Sequence, residues 1–447
     1  MAADFTVGLG MSCLCRLLRF NEMTKKKKYF WEIGSDPPVL EQHSAVKHRI
    51  IESYVRNYVQ TVMAQATIPR LQLTLVDGFS GGGCYLAEDG SGFVDGSPLL
   101  MMRAVREVRA FLNLSRNKPR EICVNYELID IEPKTVEYLN YWFNARNNEG
   151  VLDQEDVKRT NVKCADFLKE LPRIKAAIKA RKMGERAIFL LDQYSYDDLP
   201  MKEIAEILTS IKKSEIILTF NVGSLMTFIS DQAVNRKPMA KIGLESYIPW
   251  EQIGALKASD SQKWRQVLQR HVAHGIKSEV GAKYATLFFV KPLGSNTWDY
   301  WLIHLCNHYK AHEVMKDLHW EHATEFGHEL EPGVFMQGYD ANRDQEYTQQ
   351  TPFDFGSDSK ERCVEGIREY FGQQIYALNK PIPLRELIES CVSRSPGSIQ
   401  HFLNAARILH VSQDIVICDA CGNVRRPSKH YSLDDIVEHS RRIRLFY

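Results

Sequence analysis

Four aspartates follow four short apolar runs along the chain, each where a strand is expected to end. They are Asp77, Asp130, Asp166 and Asp192. A single aspartate after a strand is usually a turn former. Four in order would instead line one edge of a sheet with carboxylates. There Asp130 can accept hydrogen bonds from ribose hydroxyls, and Asp166 from the exocyclic amine of adenine. The pattern therefore predicts a binding edge for a ligand that contains a nucleoside.

A glycine-rich turn follows the first aspartate. The segment LVDGFSGGGCY places Ser80, Gly81, Gly82 and Gly83 directly after the first strand. Glycine is expected where a ligand must approach the backbone or where φ is positive. No Gly-Lys-Ser/Thr follows, and the spacing is not G-x-G-x-x-G, so a phosphate loop and a dinucleotide fingerprint are both excluded. Together with the ordered aspartates, the turn matches S-adenosylmethionine-dependent methyltransferases of the Rossmann-like class.

These residues need a framework in which strands and helices alternate. Apolar spacing predicts one long amphipathic helix between Pro38 and Met63. Apolar strands that alternate with helices are predicted over residues 71–79, 124–131, 162–167, 187–194 and 215–222. Such strands are typical of a parallel sheet covered on both faces. Two more strands, 283–290 and 299–306, are joined by a hairpin connection, so we predict a Rossmann-like doubly wound α/β sheet with an antiparallel end.

Four regions follow from this pattern. Residues 1–28 are expected to be a poorly ordered extension, with Met23 as the true start. Residues 29–326 form the methyltransferase-like α/β domain, with a helical insertion near 225–275. The polar, Gly/Asp/Gln-rich residues 327–362 are expected to be a linker or exposed loop. Three short helices and a hairpin, IVICDACGNVRRP, predict a winged helix-turn-helix over residues 363–447.

The overall composition excludes several classes of protein. The 447 residues contain 57 Lys and Arg and 56 Asp and Glu, a net charge of +1 that excludes a globally basic nucleic-acid coat. Ten scattered cysteines are too few for a disulfide scaffold and indicate a reducing cytoplasm. The apolar runs are far shorter than the ~20 residues of a membrane span, so no membrane association is expected.

Five motifs resemble the three-Cys-motif partner (TcmP) family in type and order. They are His43-x-x-x-Lys47, the turn from Val76 to Gly83, Gly96-Ser97-Pro98-Leu99, the Leu190–Ser195 segment, and Asn307-His308-Tyr309-Lys310 followed by Glu313-Val314-Met315-Lys316. The similarity extends from about residue 31 to 325, and more loosely to the C-terminus. Members of this family look like S-adenosylmethionine methyltransferases. The family is named for a neighbouring three-cysteine, radical-SAM-like protein, which the resemblance implies as a partner.

The resemblance also implies a role for each residue of the edge. Asp77 with Phe79, Ser80, Gly81 and Gly83 would cradle the methionine end of S-adenosylmethionine. Asp130 would hold the ribose and Asp166 the adenine amine. Asp192 and Tyr194 would face the methyl acceptor, as in the Asp-Pro-Pro-Tyr turn of enzymes that methylate a flipped base.

One turn departs from the family pattern, which usually reads Asp-Pro-Tyr-Gly. This chain has Asp192-Gln193-Tyr194-Ser195 and lacks the residues that would stiffen the turn. Two functions therefore stay open. One is a methyltransferase that acts on nucleic acid or on a partner's product. The other is a non-catalytic DNA- or protein-binding module that keeps the methyltransferase fold.

The remaining motifs contain candidate residues for metal binding and for DNA binding. His304, His308 and His312 would align as metal ligands only on a helix, whereas the apolar run before Asn307 predicts a strand. Cys418 and Cys421 form a single CxxC, which favours a tight β turn over a zinc knuckle. No metal site, and hence no metal-dependent nuclease, is expected. Basic residues near the C-terminus, such as Arg425 and Arg426, could contact DNA phosphates through the C-terminal domain or form an ordinary solvated surface.

Overall fold

The computed structural model describes most of the chain from residue 29 onward. The described ranges are 29–114, 116–182, 184–230, 232–258, 263–294, 299–331, 334–343, 355–427 and 430–440. The expected N-terminal extension, 1–28, lies outside these ranges.

A mixed nine-stranded sheet forms the centre of the molecule. Its strands are β2 (Arg70–Asp77), β5 (Glu121–Asp130), β6 (Thr160–Cys164), β7 (Arg186–Leu191), β8 (Lys213–Phe220), β9 (Tyr284–Lys291), β10 (Tyr300–Cys306), β11 (Glu325–Glu331) and β12 (Val334–Asp340). The order is β11-β12-β9-β10-β8-β7-β2-β5-β6, and the five strands from β8 to β6 are parallel. β10 runs antiparallel to both β8 and β9. The prediction of an α/β fold built on a large central sheet is confirmed, but the antiparallel strand β10 lies inside the sheet and not at its end, because β9, β12 and β11 extend the sheet beyond it.

Helices cover both faces of this sheet. They are α1 (Gln42–Val62), α2 (Ser97–Asn113), α3 (Pro133–Asn148), α4 (Gln154–Lys158), α5 (Phe167–Ala180), α6 (Met201–Ser210) and α11 (Tyr309–His322). Apolar side chains along β7 alternate between the two faces of the sheet, so helices are needed on both faces to bury them. Ala187, Phe189 and Leu191 pack with the side chains of α5 and α6. Ile188 and Leu190 point the other way, into the cluster formed by α1, α2 and α11.

The predicted helical insertion follows β8. It contains α7 (Val222–Phe228), α8 (Ala233–Ile242), α9 (Ile253–Ala258) and α10 (Lys263–Val280), with two short 3₁₀ turns between α8 and α9. A small sheet of β1 (Val39–Leu40), β3 (Cys84–Ala87) and β4 (Phe93–Asp95) lies beside the main one. None of the helices in the described ranges is long and apolar enough to cross a membrane.

The segment expected to be a linker, 327–362, is only partly a connection. Within it, β11 and β12 pair antiparallel, and β12 extends the main sheet by lying parallel to β9. Gly338 makes this edge possible, because a Cβ there would lie 2.4 Å from the Phe289 ring. An edge strand can be polar on its outer side, so this one lacked the apolar pattern that identified the central strands.

The C-terminal unit contains three helices and a three-stranded sheet. Its elements are α12 (Phe355–Leu378), β13 (Ile382–Pro383), α13 (Leu384–Cys391), α14 (Ile399–Val411), β14 (Ile415–Cys418) and β15 (Ile436–His439). Ser398 caps α14 in a capping box with His401. The expected hairpin is wrong in one respect. β14 pairs with β15, and the segment after the CxxC turn makes only the single bridge between Cys418 and Val424.

A buried lysine fastens this unit to the main sheet domain. Lys316 of α11 donates hydrogen bonds to the carbonyls of Val392 and, at 2.9 Å, Gly397. Nearby, Trp320 Nε1 donates to the Pro396 carbonyl at 2.9 Å. Burial lowers the pKa of Lys316 to about 7. Lys316, which the TcmP resemblance singled out, therefore acts in this structure as a structural link between the two units.

Candidate functional site

Three of the four predicted aspartates meet at one edge of the sheet. From β2 the chain continues to β5 and β6 on one side, and later to β7 and β8 on the other. Asp77 ends β2, Asp130 ends β5 and Asp192 follows β7 directly. The strand order reverses beside β2, and an open α/β sheet binds ligands at this kind of switch point.

The fourth aspartate, Asp166, has a different local role. Sequence analysis placed it at the end of a strand, but β6 ends at Cys164 and Asp166 is the N-cap of α5. Its Oδ1 accepts a hydrogen bond from the Lys169 backbone N–H at 3.2 Å. Capping a helix is a sufficient reason for an aspartate at this position. Its predicted contact with adenine stays a prediction.

Asp77 holds the glycine-rich turn and the start of α2 together. Its side chain is fully buried, accepting hydrogen bonds from Phe79 N–H at 3.2 Å and from the Ser97 hydroxyl at 2.7 Å. Burial raises the pKa of Asp77 to about 7, although both hydrogen bonds oppose this shift. The N-cap of α2 is Gly96, not Ser97. The Ser97 hydroxyl is instead committed to Asp77.

Asp130 ties the same turn to the neighbouring strand. Its Oδ2 accepts the Gly81 N–H at 3.1 Å, and its Oδ1 accepts the Glu132 N–H at 2.9 Å. Ser80 adds two bonds of 2.9 Å to the Ile129 carbonyl, one from its N–H and one from its hydroxyl. Next to this half-buried carboxylate, Ile131 is 67% exposed. An apolar surface beside an acidic group is what a ribose and its base require.

The glycines of the turn are already required by internal packing. A Cβ on Gly82 would lie 2.3 Å from the indole of Trp31, and one on Gly83 would lie 2.6 Å from Leu139. Gly81 and Gly83 also have positive φ values of 58° and 72°. Trp31 is held in place by a 2.7 Å hydrogen bond from its Nε1 to the Cys84 carbonyl. The glycines therefore have a reason to be there besides the predicted ligand, and the sequence pattern gave no sign of the contact with Trp31.

Lys47 contacts a residue of the sheet edge that the sequence did not reveal as its partner. From α1, its Nζ lies 3.1 Å from both carboxylate oxygens of Asp192. Burial alone would raise the pKa of Asp192, but the Lys47 charge and the hydrogen bonds from Thr219 and Lys47 together outweigh burial and hold this pKa below its usual range. Burial and then the Lys47 charge lower the pKa of the adjacent His48 to about 4. The edge therefore contains an ionised aspartate beside a neutral histidine.

Aromatic rings surround this ion pair. Lys47 Nζ lies 5.7 Å from the centre of the Tyr300 ring, and His43 stacks on the same ring at 5.9 Å. Tyr194, two residues after Asp192, is 73% exposed. The His43-x-x-x-Lys47 motif thus contributes both of its residues to the predicted acceptor side.

Hydrogen bonds from side chains stiffen the turn that lacks proline and glycine. Gln193 is buried, and its Oε1 accepts the Leu199 N–H at 3.2 Å. The Ser195 N–H donates to Asp198 Oδ2 at 2.9 Å, and the Ser195 hydroxyl donates to Asp197. The two replaced residues, Gln193 and Ser195, are therefore the ones that hold the loop.

The histidines and cysteines considered as metal ligands have other places in the structure. His304 lies in β10, as the strand prediction required, whereas His312 lies in α11. Cys421 belongs to a tight turn in which Asp419 Oδ1 accepts the Cys421 and Asn423 N–H groups, both at 2.9 Å. In the described ranges, no three His, Cys, Asp or Glu side chains are arranged to hold a metal ion.

A groove of about 610 Å³ lies away from the carboxylates. It is formed by α11, α12 and α14, and its lining includes Asp317, Trp320, Glu361 and Glu365. None of the aspartates of the sheet edge lines it, so its size is not evidence about their chemistry.

Comparisons with known proteins add only distant structural neighbours. No family model matches the chain, and no curated protein matches it in sequence. Protein LPL1258 from Legionella pneumophila aligns with a TM-score of 0.34 and 12% identity over 62% of this chain and 90% of its own. Human methyltransferase-like protein 13 in complex with SAH gives 0.26 and 14% over 62% and 91%.

Magnesium protoporphyrin IX methyltransferase from Synechocystis PCC 6803, with bound SAM, gives a TM-score of 0.25 and 12% identity over 59% of this chain and 84% of its own. Similarity this low carries no argument about function. The assignment of function depends on the strand order and side chains of this chain itself.

Gly82→Ala tests the contact between the turn and Trp31. The new methyl group would collide with the indole, so we expect a loss of about 2 kcal/mol in the free energy of unfolding. In the Trp31→Ala background the same change should cost less than about 0.5 kcal/mol, because the obstacle is gone. Denaturant unfolding measures both. Gly254→Ala, where nothing lies within 4 Å, is the control. Equal costs in the two backgrounds would refute the contact.

Asp77 should make stability depend on pH. Its pKa of about 7 lies above the usual 3.8, so the folded state keeps a proton that the unfolded state releases. The stabilisation is complete below pH 4 and is lost as the pH rises through 7. Between pH 5 and pH 8 this loss amounts to about 2.5 kcal/mol. Asp77→Asn should flatten that part of the curve in denaturant titrations, and parallel curves for the two proteins would contradict the assignment.

A double-mutant cycle on Lys47→Met and Asp192→Asn measures the ion pair. The Lys47 side chain is 10% exposed and that of Asp192 31%, so we expect a coupling energy of at least about 1.5 kcal/mol. Lys134 and Glu32 form a shorter pair of 2.6 Å, but their side chains are 53% and 43% exposed. Their coupling should stay below about 1 kcal/mol. A coupling energy that is smaller for Lys47–Asp192 than for Lys134–Glu32 would show that burial does not strengthen the Lys47–Asp192 pair.

Proposed function

We propose that this protein is an S-adenosylmethionine-dependent methyltransferase of the TcmP type. One observation carries the proposal. The glycine-rich turn after β2 is hydrogen-bonded to Asp130 at the end of β5, and Asp192 stands at the end of β7 on the same edge. The strand order supports it, because β10 inserts antiparallel between β8 and β9, as expected for class I methyltransferases.

The residues at the switch point fit the cofactor. Asp130 would accept the ribose hydroxyls, and the exposed side chain of Ile131 would pack against the adenine. Asp166 remains the proposed partner of the adenine amine. Asp77 is fully buried, so it would act by fixing Phe79 and Ser97 around the methionine end rather than by touching it. When bound, S-adenosylmethionine would supply an electrophilic methyl group to a lone pair of the acceptor nitrogen. The methyl–sulfur bond breaks with its electron pair left on S-adenosylhomocysteine, and the methylated nitrogen releases its proton to solvent.

Asp192 and Tyr194 would then orient the acceptor. The Lys47 charge and the hydrogen bonds from Thr219 and Lys47 favour the ionised form of Asp192, so its carboxylate would accept a hydrogen bond from an acceptor N–H and direct the nitrogen lone pair toward the methyl group. The exposed ring of Tyr194 offers a surface on which a base can stack. The side-chain hydrogen bonds of Gln193 and Ser195 support this role, because they replace the missing rigidity.

A non-catalytic binding protein with the same fold is the second candidate. The observation in its favour is that Lys47 already bonds both oxygens of Asp192. An acceptor would have to share that carboxylate with Lys47 or displace the ammonium.

The C-terminal unit is proposed to be a winged helix. The order helix, strand, two helices and two strands supports this interpretation. DNA contact through this unit stays a proposal, as does a three-cysteine radical-SAM-like partner. Arg425 was one of two arginines considered for phosphate contact or for a solvated surface, and it pairs at 2.7 Å with the buried Asp435. Arg426 is exposed and is therefore the better residue for testing DNA contact there.

Calorimetric titration with S-adenosylmethionine tests the proposed function. We expect binding to the wild-type protein and at least about tenfold weaker binding to Asp130→Ala, because a hydrogen bond to a charged group is lost. Glu121→Ala is the matched control, since it removes a carboxylate from the other end of the same strand. No binding at millimolar ligand would refute the cofactor assignment. Binding without release of S-adenosylhomocysteine in the presence of any nucleic acid would favour the second candidate.

A further inference from the structure

The helical insertion after β8 is locally basic in a chain with balanced charge. Residues 225–275 contain seven Lys and Arg against four Asp and Glu, whereas the whole chain has 57 against 56. The basic residues are Arg236, Lys237, Lys241, Lys257, Lys263, Arg265 and Arg270. Within the described part of the insertion, the side chains of Lys237 and Lys241 on α8 are exposed. A local excess of cations on one element is the electrostatic signature of a polyanion-binding surface.

This basic helix lies beside the turn that follows Asp192. β7 and β8 are neighbouring parallel strands, so the segments after them leave the sheet at the same edge. A direct contact joins these segments, because Lys241 Nζ of α8 lies 3.3 Å from Asp197 Oδ2. The Tyr196 ring packs on Phe220 at the end of β8, with 6.0 Å between ring centres. The cations of α8 therefore flank the proposed acceptor position.

Aromatic side chains accompany these cations. Tyr194 is 73% exposed beside Asp192, and Phe228 at the end of α7 is 55% exposed. Exposed rings interleaved with cations are how single strands are bound, since bases stack on the rings while the cations follow the phosphates.

The C-terminal groove has the opposite charge. Its rim carries Asp317, Glu361 and Glu365 against Lys360 and the largely buried His401. Burial and then the nearby Lys360 charge lower the pKa of His401 to about 4, so it adds no positive charge at neutral pH. Such a rim repels phosphates. Of these two surfaces, only the insertion suits a nucleic acid.

We propose that the exposed side of α8, together with Tyr194, binds single-stranded nucleic acid and presents its bases to Asp192. For the identity of the acceptor this rests on the proposed function, whereas the binding itself requires no cofactor. The strand would lie along Lys237 and Lys241, with a base stacked on Tyr194. The substrate class is then a base in an unpaired strand, DNA or RNA.

Fluorescence anisotropy with labelled 20-nucleotide single strands of mixed sequence, one DNA and one RNA, tests this without S-adenosylmethionine. We expect binding that weakens with salt and, for Lys237→Gln/Lys241→Gln, a salt slope smaller by about 1.4. Lys212→Gln/Lys213→Gln makes the same charge change at the amino end of β8 and should leave binding unchanged. Tyr194→Ala should weaken binding about tenfold, and Tyr194→Phe should preserve it.

Several outcomes would overturn the proposal. They are the absence of binding to either strand, binding to duplex DNA that the Lys237→Gln/Lys241→Gln change weakens as much as binding to single strands, equal weakening by the two lysine variants, and displacement by poly-glutamate at equal charge. The strand that binds more tightly identifies DNA or RNA as the source of the base. Strand binding without S-adenosylmethionine binding in calorimetry would support this surface while refuting the proposed methyltransferase, so the two failures are distinguishable.

Discussion

The folded state has to hold three carboxylates at one edge of a sheet. Asp77 and Asp192 each raise the cost of ionising the other, and Asp130 adds to the cost for Asp77. Each charge is compensated in a different way. Asp77 is buried and shifted toward its protonated form, Asp130 accepts backbone N–H groups, and Asp192 is paired with Lys47. The glycine-rich turn, the start of α2 and the position of α1 all follow from these compensations.

The ion pair with Asp192 depends on how α1 is anchored further along its length. Tyr54 follows Lys47 by seven residues, about two helical turns, so the two side chains share a face. The Tyr54 hydroxyl donates to Glu215 of β8 and lies 3.0 Å from His304 Nε2 of β10. All three side chains are buried. This cluster fixes the rotation of α1 against the sheet, which aims Lys47 at the end of β7.

Much of the fold could be predicted from the sequence because the central strands are apolar on both faces. That signal identified β2, β5, β7 and β8 and placed Asp77, Asp130 and Asp192 correctly at their ends. The apolar signal failed where only one face of a strand is packed, as in β11 and β12. It also placed the end of β6 too late in the chain, because Asp166 caps the next helix and is not part of the strand. The helical insertion was predicted, but the path of its helices depends on tertiary contacts.

Long-range contacts explain what the sequence could not reveal about the site. Trp31 contacts the glycine-rich turn across 53 residues of chain, and Lys47 reaches Asp192 across 145. Local periodicity has no information about such pairs. The motif that contains Lys47 could be noticed, but its partner could not. Gln193 and Ser195 are a different case, because their hydrogen bonds are local and reach only residues 197 to 199. These bonds replace the rigidity that proline and glycine would have given, and residue types alone do not reveal them. From its residue types alone, the Asp192–Ser195 turn is expected to be flexible, whereas in the structure side-chain hydrogen bonds hold it. Lys47 holds Asp192 through two contacts of 3.1 Å, so an acceptor of the kind we propose would compete with Lys47 for this carboxylate.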